Sequence, residues 1–457
     1  MKLNRSLAIS TSIQECKMGN IIGLLEKEFP DIMEREPAVP KSRNRVFTAR
    51  NTLLTMVLTA VQQDKTLQNS VDLYYMIHQR HKQQTTEALG ARLKQEQGLD
   101  RESAKKAGRP KKYALQLPKS LEKDISLNTA AYSKARARLP IELAQGLFRG
   151  SRIKDVENAY SHWHGYRVLI GDGTYLQMQD TESIGKEYEV KHKGIGSEGY
   201  PQGLLEAITE RGTGQLYSFK LSNRHVSELA LFHEMIDELP ALSLLLLDDL
   251  YNCFEIIAKC KRKGIELVVP AKRKRNYEVV EVLGEGDEAI RIKTPKKRSK
   301  WLEENEGAKT ILLRRIVCHS PDGKEYILNT TILDKKISKH EIQLLYLTRW
   351  DIEVSIREIK TIMDINILRS KTPEMALKEL TVSLATYNLI RKAIYASIKG
   401  LPFSPKEDFI YKFYTLNTDI LIDKKGRVYN RWSTGRRRTG KTATKTSTAK
   451  AKTRQEI

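Results

Sequence analysis

The sequence predicts a mixed α/β protein: a helical N-terminal region, a sheet-forming middle that contains a β-rich segment, and two helices after it. Three observations predict this. Residues 1 to about 140 carry apolar side chains at helical spacing, short apolar runs separated by turns begin near Tyr166, and helical spacing returns after about residue 337. A chain of 457 residues has room for two to four domains. Its 40% hydrophobic content supplies a sizeable core and argues against wholesale disorder.

The elements follow in order. RNTLLTMVLTAVQQDKTLQNSVDLYYMIHQRH has apolar residues at helical intervals, with basic residues at its end. A polar loop, Lys105 to Lys119, interrupts the helical region; its Gly108-Arg109-Pro110 reads either as a plain basic linker or as a small hook for A·T-rich minor grooves. SLNTAAYSKARARLP starts at a Ser/Asn cap and continues as a short basic helix, with Arg136 and Arg138 facing DNA or solvent. YRVLIGDGTYLQM is an apolar strand ending in a Gly-Asp-Gly turn, and GLLEAITERGTGQLYSFKLSN is a hairpin turning at Gly-Thr-Gly. The amphipathic helix HVSELALFHEMIDEL, the buried strand SLLLLDD, the helix CFEIIAKCKRKG and the strand IELVVPAK come next. Residues 273 to about 337 read as β-rich, from YEVVEVL through AIRIKT and TILLRRIVCH to EYILNTTIL. Helices at about Ser338–Met363 and Pro373–Ile398 follow.

Composition excludes several classes. No apolar run approaches the roughly 18 residues that a membrane span needs. MKLNRSLAISTSIQECK lacks the apolar centre of a secretory signal, so a cytoplasmic protein with no membrane partner is expected. The four cysteines, Cys16, Cys253, Cys260 and Cys318, have no CxxC spacing, which excludes a disulfide scaffold and a cysteine-rich zinc site. Cys253 and Cys260 share a helix face and read as buried thiols.

The net charge of +23 points to a polyanionic partner, nucleic acid first. Almost half of it, a net of +11, lies from Lys424 onward. The Thr/Lys/Ala-rich end reads as a disordered tail that adds phosphate affinity or solubility. Gly435, Gly440, Lys441 and Thr442 match a phosphate-loop spacing, but no strand or helix frames them, and an ATPase is not expected.

Two aspartates stand at the ends of apolar strands: Asp172 in LIGDGT and Asp248 in LLLLDDLY. Strand ends present groups rigidly, and paired carboxylates there suit divalent cations; such aspartates also serve as plain turn residues. Asp249 is a direct rival to Asp248, and Asp180 and Glu182 rival Asp172. The third carboxylate is better defined. At 100° per residue, Tyr346, Arg349, Glu353 and Lys360 share a stripe about 60° wide beside the apolar face formed by Leu345, Ile352, Ile356 and Met363. Glu358 falls on the far side. A surface ladder of Glu and basic residues is the alternative.

The spacing Tyr-x2-Arg-x3-Glu-x6-Lys, filled by Tyr346, Arg349, Glu353 and Lys360, resembles the YREK signature of DDE transposases of the insertion-sequence-four family. Asp172 in its GDGT context resembles that family's first aspartate, and Asp248, three residues before Tyr251, its second. AAYSKARARLP resembles the element preceding the family's catalytic domain. The resemblance covers about Ser126 to Ser370. It implies an RNase H-like catalytic core with a β-rich insertion, preceded by an α-helical DNA-binding domain. It implies Asp172, Asp248 and Glu353 as ligands of two Mg²⁺ (or Mn²⁺) ions, and Tyr346, Arg349 and Lys360 as holders of a DNA phosphate. Trp301, in the insertion, corresponds to a tryptophan that holds a flipped base. The implied partners are terminal inverted repeats, target DNA and a second copy of the chain in a paired-end dimer; the implied setting is the bacterial cytoplasm, at the nucleoid. The expected organisation is a helical DNA-binding domain over 1–140, core over 141–272, insertion over 273–337, closing core helices over 338–400 and a C-terminal region over 401–457. The expected activity is cut-and-paste transposition. A DNA-binding regulator derived from a transposase and a metal nuclease that does not transpose are the alternatives.

Overall fold

The structure is a computed structural model that describes residues 46–62, 64–103, 126–154, 156, 161–188, 199–273, 275–297, 299–305, 309–320, 323–398, 420–422 and 428–430. Cys16, the Gly108-Arg109-Pro110 loop and the phosphate-loop match at 435–442 lie outside the described residues. Most of the basic tail does too. No helix among the described residues is long and apolar enough to cross a membrane.

The N-terminal elements are helical. Helix α1 (Ala49–Ala60) starts at Thr48, whose side chain accepts the Asn51 N–H, and α2 (Leu67–Ser103) follows. Asn128 caps α3 (Thr129–Arg138) in the same way, and Pro140 opens α4 (Ile141–Ser151). These helices do not form a separate core. Val57, Tyr132 and Leu147 share one apolar cluster with Leu384, Ala385 and Ile390 of the long helix near the end of the described chain.

The sheet is built around one long strand. A short β1 (His162–Trp163) precedes β2 (Tyr166–Met178); after the short helix α5 (Glu182–Tyr188) come β3 (Gln202–Glu210) and β4 (Leu216–Asn223). The β3–β4 turn carries Gly212 and Gly214 at φ of 88° and 66°, which a glycine adopts without the usual Cβ clash. Helix α6 (Glu228–Met235), strand β5 (Ser243–Leu246), helix α7 (Phe254–Arg262) and strand β6 (Glu266–Pro270) complete the first half of the sheet. Its order is β4-β3-β2-β5-β6, antiparallel from β4 to β2 and parallel from β2 to β6.

Strands β7 (Tyr277–Gly284), β8 (Asp287–Lys293), β9 (Thr310–His319) and β10 (Glu325–Thr330) continue the same sheet beyond β6, with short helix α8 (Lys300–Glu304) between β8 and β9. A buried ion pair, Arg314 to Asp287 at 2.6 Å, fixes β9 to β8, and Arg314 also donates to the Ile337 carbonyl. A helical run then crosses the sheet: α9 (Lys339–Leu347), a 3-10 turn (Thr348–Trp350), α10 (Asp351–Arg357) and a π turn (Glu358–Ile362). Ser338 and Glu341 form a reciprocal capping box at its start. Strand β11 (Ile367–Leu368) joins the edge of β2, and α11 (Pro373–Ile398) covers the face. A separate pair of strands, β12 (Ile420–Ile422) and β13 (Val428–Asn430), ends the described chain.

Strand periodicity separates two layers. Leu169, Leu245 and Leu247 face α6 and α7, while Val168, Ile170, Leu244 and Leu246 face α9 and α10. One expectation is corrected here. β2 does not end in a Gly171-Asp172-Gly173 turn; it runs on to Met178. The partner strand decides this, because β3 keeps pairing with it through Asp172↔Ala207 to Gln177↔Gln202.

Candidate active site

The two aspartates meet through strand register. The parallel β2–β5 ladder ends at Ile170↔Leu246, and Asp172 and Asp248 each lie two residues further on. With a side-chain period of two, both point to the face covered by α9 and α10. Asp172 therefore sits within β2 but at the point where β5 has ended, in the opening above the parallel strands.

Asp172 is partly buried, and one of its oxygens accepts the Gly173 N–H at 3.0 Å. Burial pushes its carboxyl up to about 6; the Gly173 N–H and Arg349 act against this, while Glu353 and Glu228 add to it. Asp248 and Asp249 have different employment. Asp249 is 13% exposed at its side chain, accepts the Lys272 N–H at 2.9 Å and lies 3.7 Å from Arg273. It ties the chain after β6 to the turn. Asp248 is 46% exposed and, among the described residues, its ion-pair partner is Lys272 at 4.0 Å. Of the two, Asp248 has the open carboxylate.

The helical run supplies the rest. Tyr346 donates its hydroxyl to the Leu247 carbonyl at 3.2 Å, next to Asp248. Burial raises the Tyr346 hydroxyl well above its ordinary range, with Arg349 opposing. Arg349 donates to Glu353 at 2.9 Å. Burial works against the Arg349 charge, and Tyr346, Glu353 and Asp172 together outweigh it, so the guanidinium is held more firmly protonated. Asp172, Asp248, Tyr346, Arg349 and Glu353 thus form one group. Lys360 stands in the π turn beyond it, with burial alone lowering its pKa. That turn departs from the uniform α spacing assumed for the stripe. Glu358, beside it, is buried against Arg391 and accepts the Tyr387 hydroxyl at 3.1 Å. Trp301 on α8 is in neither place: it packs partly buried on the α6–α7 side, its ring 5.2 Å from that of His233.

Sequence reasoning missed two carboxylates. Glu206 on β3 is fully buried; Tyr251 donates to one of its oxygens at 2.8 Å, and the other has no hydrogen-bond partner among the described residues. Burial pushes it up to about 9, so it holds its proton at neutral pH. Glu228 opens α6, where burial and then Asp248 raise its pKa. A Cβ at Gly173 would stand 2.8 Å from the Glu228 carboxyl carbon and 2.9 Å from Glu206 Oε2, so the glycine gives these acids their room. An acid inside the apolar run LLEAI was the available signal for Glu206; nothing local marks Glu228.

The donor set of Asp172, Asp248 and Glu353 is all carboxylate oxygen, which suits a hard divalent cation such as Mg²⁺ or Mn²⁺. The half-buried Asp172, whose carboxyl is raised by its surroundings, has the chemistry of a ligand short of positive charge. Among the described residues, no three acidic, His or Cys side chains stand close enough together to hold an ion as they are. Arg349 engages Glu353 in this arrangement and supplies the nearby positive charge.

Residues 163–389 match the family model described as the transposase DDE domain. The transposase InsG for insertion sequence element IS4 of Escherichia coli (strain K12) is 28% identical over 269 residues, covering 57% of this chain and 60% of that protein. A piggyBac transposase synaptic complex with hairpin DNA, solved by cryo-EM, is 12% identical, covers 55% of this chain and 52% of that one, and gives a TM-score of 0.33, too low to bear on the argument. The match to the domain model contains every residue of the carboxylate group, and together with the relative it supports a DDE transposase of the insertion-sequence-four family.

Proposed function

We propose that the chain is a DNA transposase of the cut-and-paste type, in which Asp172, Asp248 and Glu353 hold Mg²⁺, with Mn²⁺ able to replace it. The observation that carries this reading is the strand register: Asp172 and Asp248 lie in matching positions beyond the β2–β5 ladder, on the face crossed by the helical run bearing Glu353. The order β4-β3-β2-β5-β6, with an antiparallel meander followed by parallel strands, supports an RNase H-like core. The divisions at 1–140, 141–272, 273–337, 338–400 and 401–457 belong to the same proposal, the first as the reader of terminal inverted repeats. So do a paired-end dimer and a bacterial, nucleoid-associated setting.

When bound, a pair of divalent cations lowers the pKa of water and offsets charge on the attacking and leaving oxygens. The chain's own residues do the positioning. Arg349 has a planar fork suited to a phosphate, which it can offer when it leaves Glu353. Tyr346 braces the Leu247 carbonyl and so the backbone that carries Asp248. Lys360 belongs with Tyr346 and Arg349 to the hold on a phosphate near the bond to be cut, and Trp301 to the hold on a flipped base. Glu206 stays neutral beneath the opening and adds no further negative charge at neutral pH.

The test is metal-dependent nicking of DNA carrying the element's terminal repeats, followed by strand transfer of the freed 3′-OH. The reading requires both, and requires Asp172→Asn to lose both while still binding DNA, because phosphate contacts are separable from metal chemistry. Binding without metal-dependent nicking by the parent protein would leave a DNA-binding regulator instead.

A further inference from the structure

A cavity of about 490 Å³ lies between the N-terminal helices and the segment joining the helical run to α11. Four cations line it, Lys65, Arg136, Arg369 and Lys371, against two carboxylates, Asp364 and Glu379. Both carboxylates are already used. Glu379 accepts the N–H groups of Arg369 and Ser370, at 3.0 and 2.8 Å, and Asp364 accepts from the Arg369 guanidinium at 2.7 Å. Lys65 is turned to the backbone carbonyls of Met363 and Asp364.

Arg136 and Lys371 remain. The buried Nε of Arg136 has no hydrogen-bond partner among the described residues, and its Nη2 makes only a long 3.4 Å approach to Ser370. Lys371 is exposed. A cavity lined by a guanidinium with an unused donor and by a second cationic residue suits an oxyanion, since an arginine fork satisfies its donors best on phosphate or carboxylate. Position favours phosphate. β11, at the cavity's edge, pairs with β2 at Gln177 and Met178, five or six residues beyond Asp172.

We propose that this cavity is a phosphate site, anchored by Arg136 and Lys371, that grips one backbone phosphate of DNA away from the bond to be cut. It rests on the DNA-cleaving reading above. Free phosphate is the other source of the same chemistry, and the test separates them.

The experiment uses the full chain and a random-sequence duplex, because a backbone contact is independent of sequence. Binding is followed against salt for the parent, Arg136→Gln, Lys371→Gln and Ser133→Phe. The last keeps every cation but fills the cavity from an exposed lining position. Loss of one phosphate contact should flatten the slope of log affinity against log salt by about 0.9 in each variant. Unchanged slopes in all three overturn the proposal. A change in Arg136→Gln without one in Ser133→Phe also overturns it, because Arg136 would then meet DNA outside the cavity. Inorganic phosphate that raises the melting temperature of the parent but not of Arg136→Gln, with DNA slopes unaltered, makes this a free-anion site and overturns the DNA assignment. Lys371→Gln, at an exposed position, guards against misfolding as the cause. If the slopes flatten as expected while the parent fails to nick DNA with metal, the cavity stands and the transposase reading falls.

Discussion

Two glutamate–arginine pairs stand five residues apart on one helical run. Glu353 meets Arg349 at 2.9 Å, and their side chains are 34% and 18% exposed. Glu358 meets Arg391 from α11, and theirs are 5% and 3% exposed. The chemistry is the same and the consequences differ. The first pair spans the 3-10 turn and α10 at i,i+4 spacing and is partly exposed, so either partner can be drawn away by a stronger ligand at little cost. The second joins two distant helices in the interior, with the Tyr387 hydroxyl added, and breaking it would strand a buried charge. An ion pair marks a working site when it is poised to come apart, and a structural site when it cannot.

Substitutions sharpen this contrast. The largest effect is expected for Asp172→Asn, Asp248→Asn and Glu353→Gln, each losing about 10³-fold or more in single-turnover cleavage, since several kcal/mol of charge stabilisation go with the cation. Their denaturant midpoints should not fall. If Asp249→Asn proves inactive while Asp248→Asn cleaves normally, the second ligand has been misassigned, despite the hold of Asp249 on the Lys272 N–H.

The second pair should behave in the opposite way. Arg391→Met leaves Glu358 buried without its cation and is expected to cost about 3–5 kcal/mol in urea unfolding. Cleavage per folded molecule should be retained. A normal midpoint would mean that the pair is not buried as described.

A smaller effect is expected at Arg349. Arg349→Lys keeps the charge and loses the fork, so cleavage should remain impaired on a pre-assembled DNA complex, with folding intact. If Arg349 only pairs with Glu353, the change would cost about 0.3–0.5 kcal/mol of stability and leave the rate alone.

The smallest effect is a pH dependence. Asp172 has its folded pKa raised from 3.8 to about 6, so the folded state binds the proton more tightly than the unfolded state does. In metal-free protein this group favours folding at low pH and loses that contribution as pH rises from about 4 to 6. Asp172→Asn should lack the fall, and its stability relative to the parent should improve across that window. Parallel stability curves for the two proteins would remove burial as the cause of the shift.

Much of the fold could be read locally. The β3–β4 hairpin turns at Gly212-Thr213-Gly214, and the strands of 277–330 coincide with the apolar alternation of YEVVEVL to EYILNTTIL. The helical run begins at its Ser338 cap. Two features were not legible. A uniform α-helix would set Tyr346, Arg349, Glu353 and Lys360 on one stripe, whereas a 3-10 turn interrupts the run at Thr348–Trp350 and a π turn at Glu358–Ile362. The Gly171-Asp172-Gly173 stretch reads as a turn because glycines usually end strands. It stays extended here because β3 supplies partners and because α6 brings Glu228 close to Gly173.

The sequence by itself determined the element types, the excess of positive charge and the spacing that sets Tyr346, Arg349 and Glu353 along one run. Each is a local property, carried by backbone period and side-chain type within a few turns. The tertiary structure alone decided that Asp172 lies level with Asp248, that Asp249 is spent on the Lys272 N–H, that Glu206 is a neutral acid and that Glu358 belongs to Arg391. Those outcomes depend on burial and charge contributed by residues tens to more than a hundred positions away, and no local pattern encodes which of several acids will lose its water and which will keep an open face.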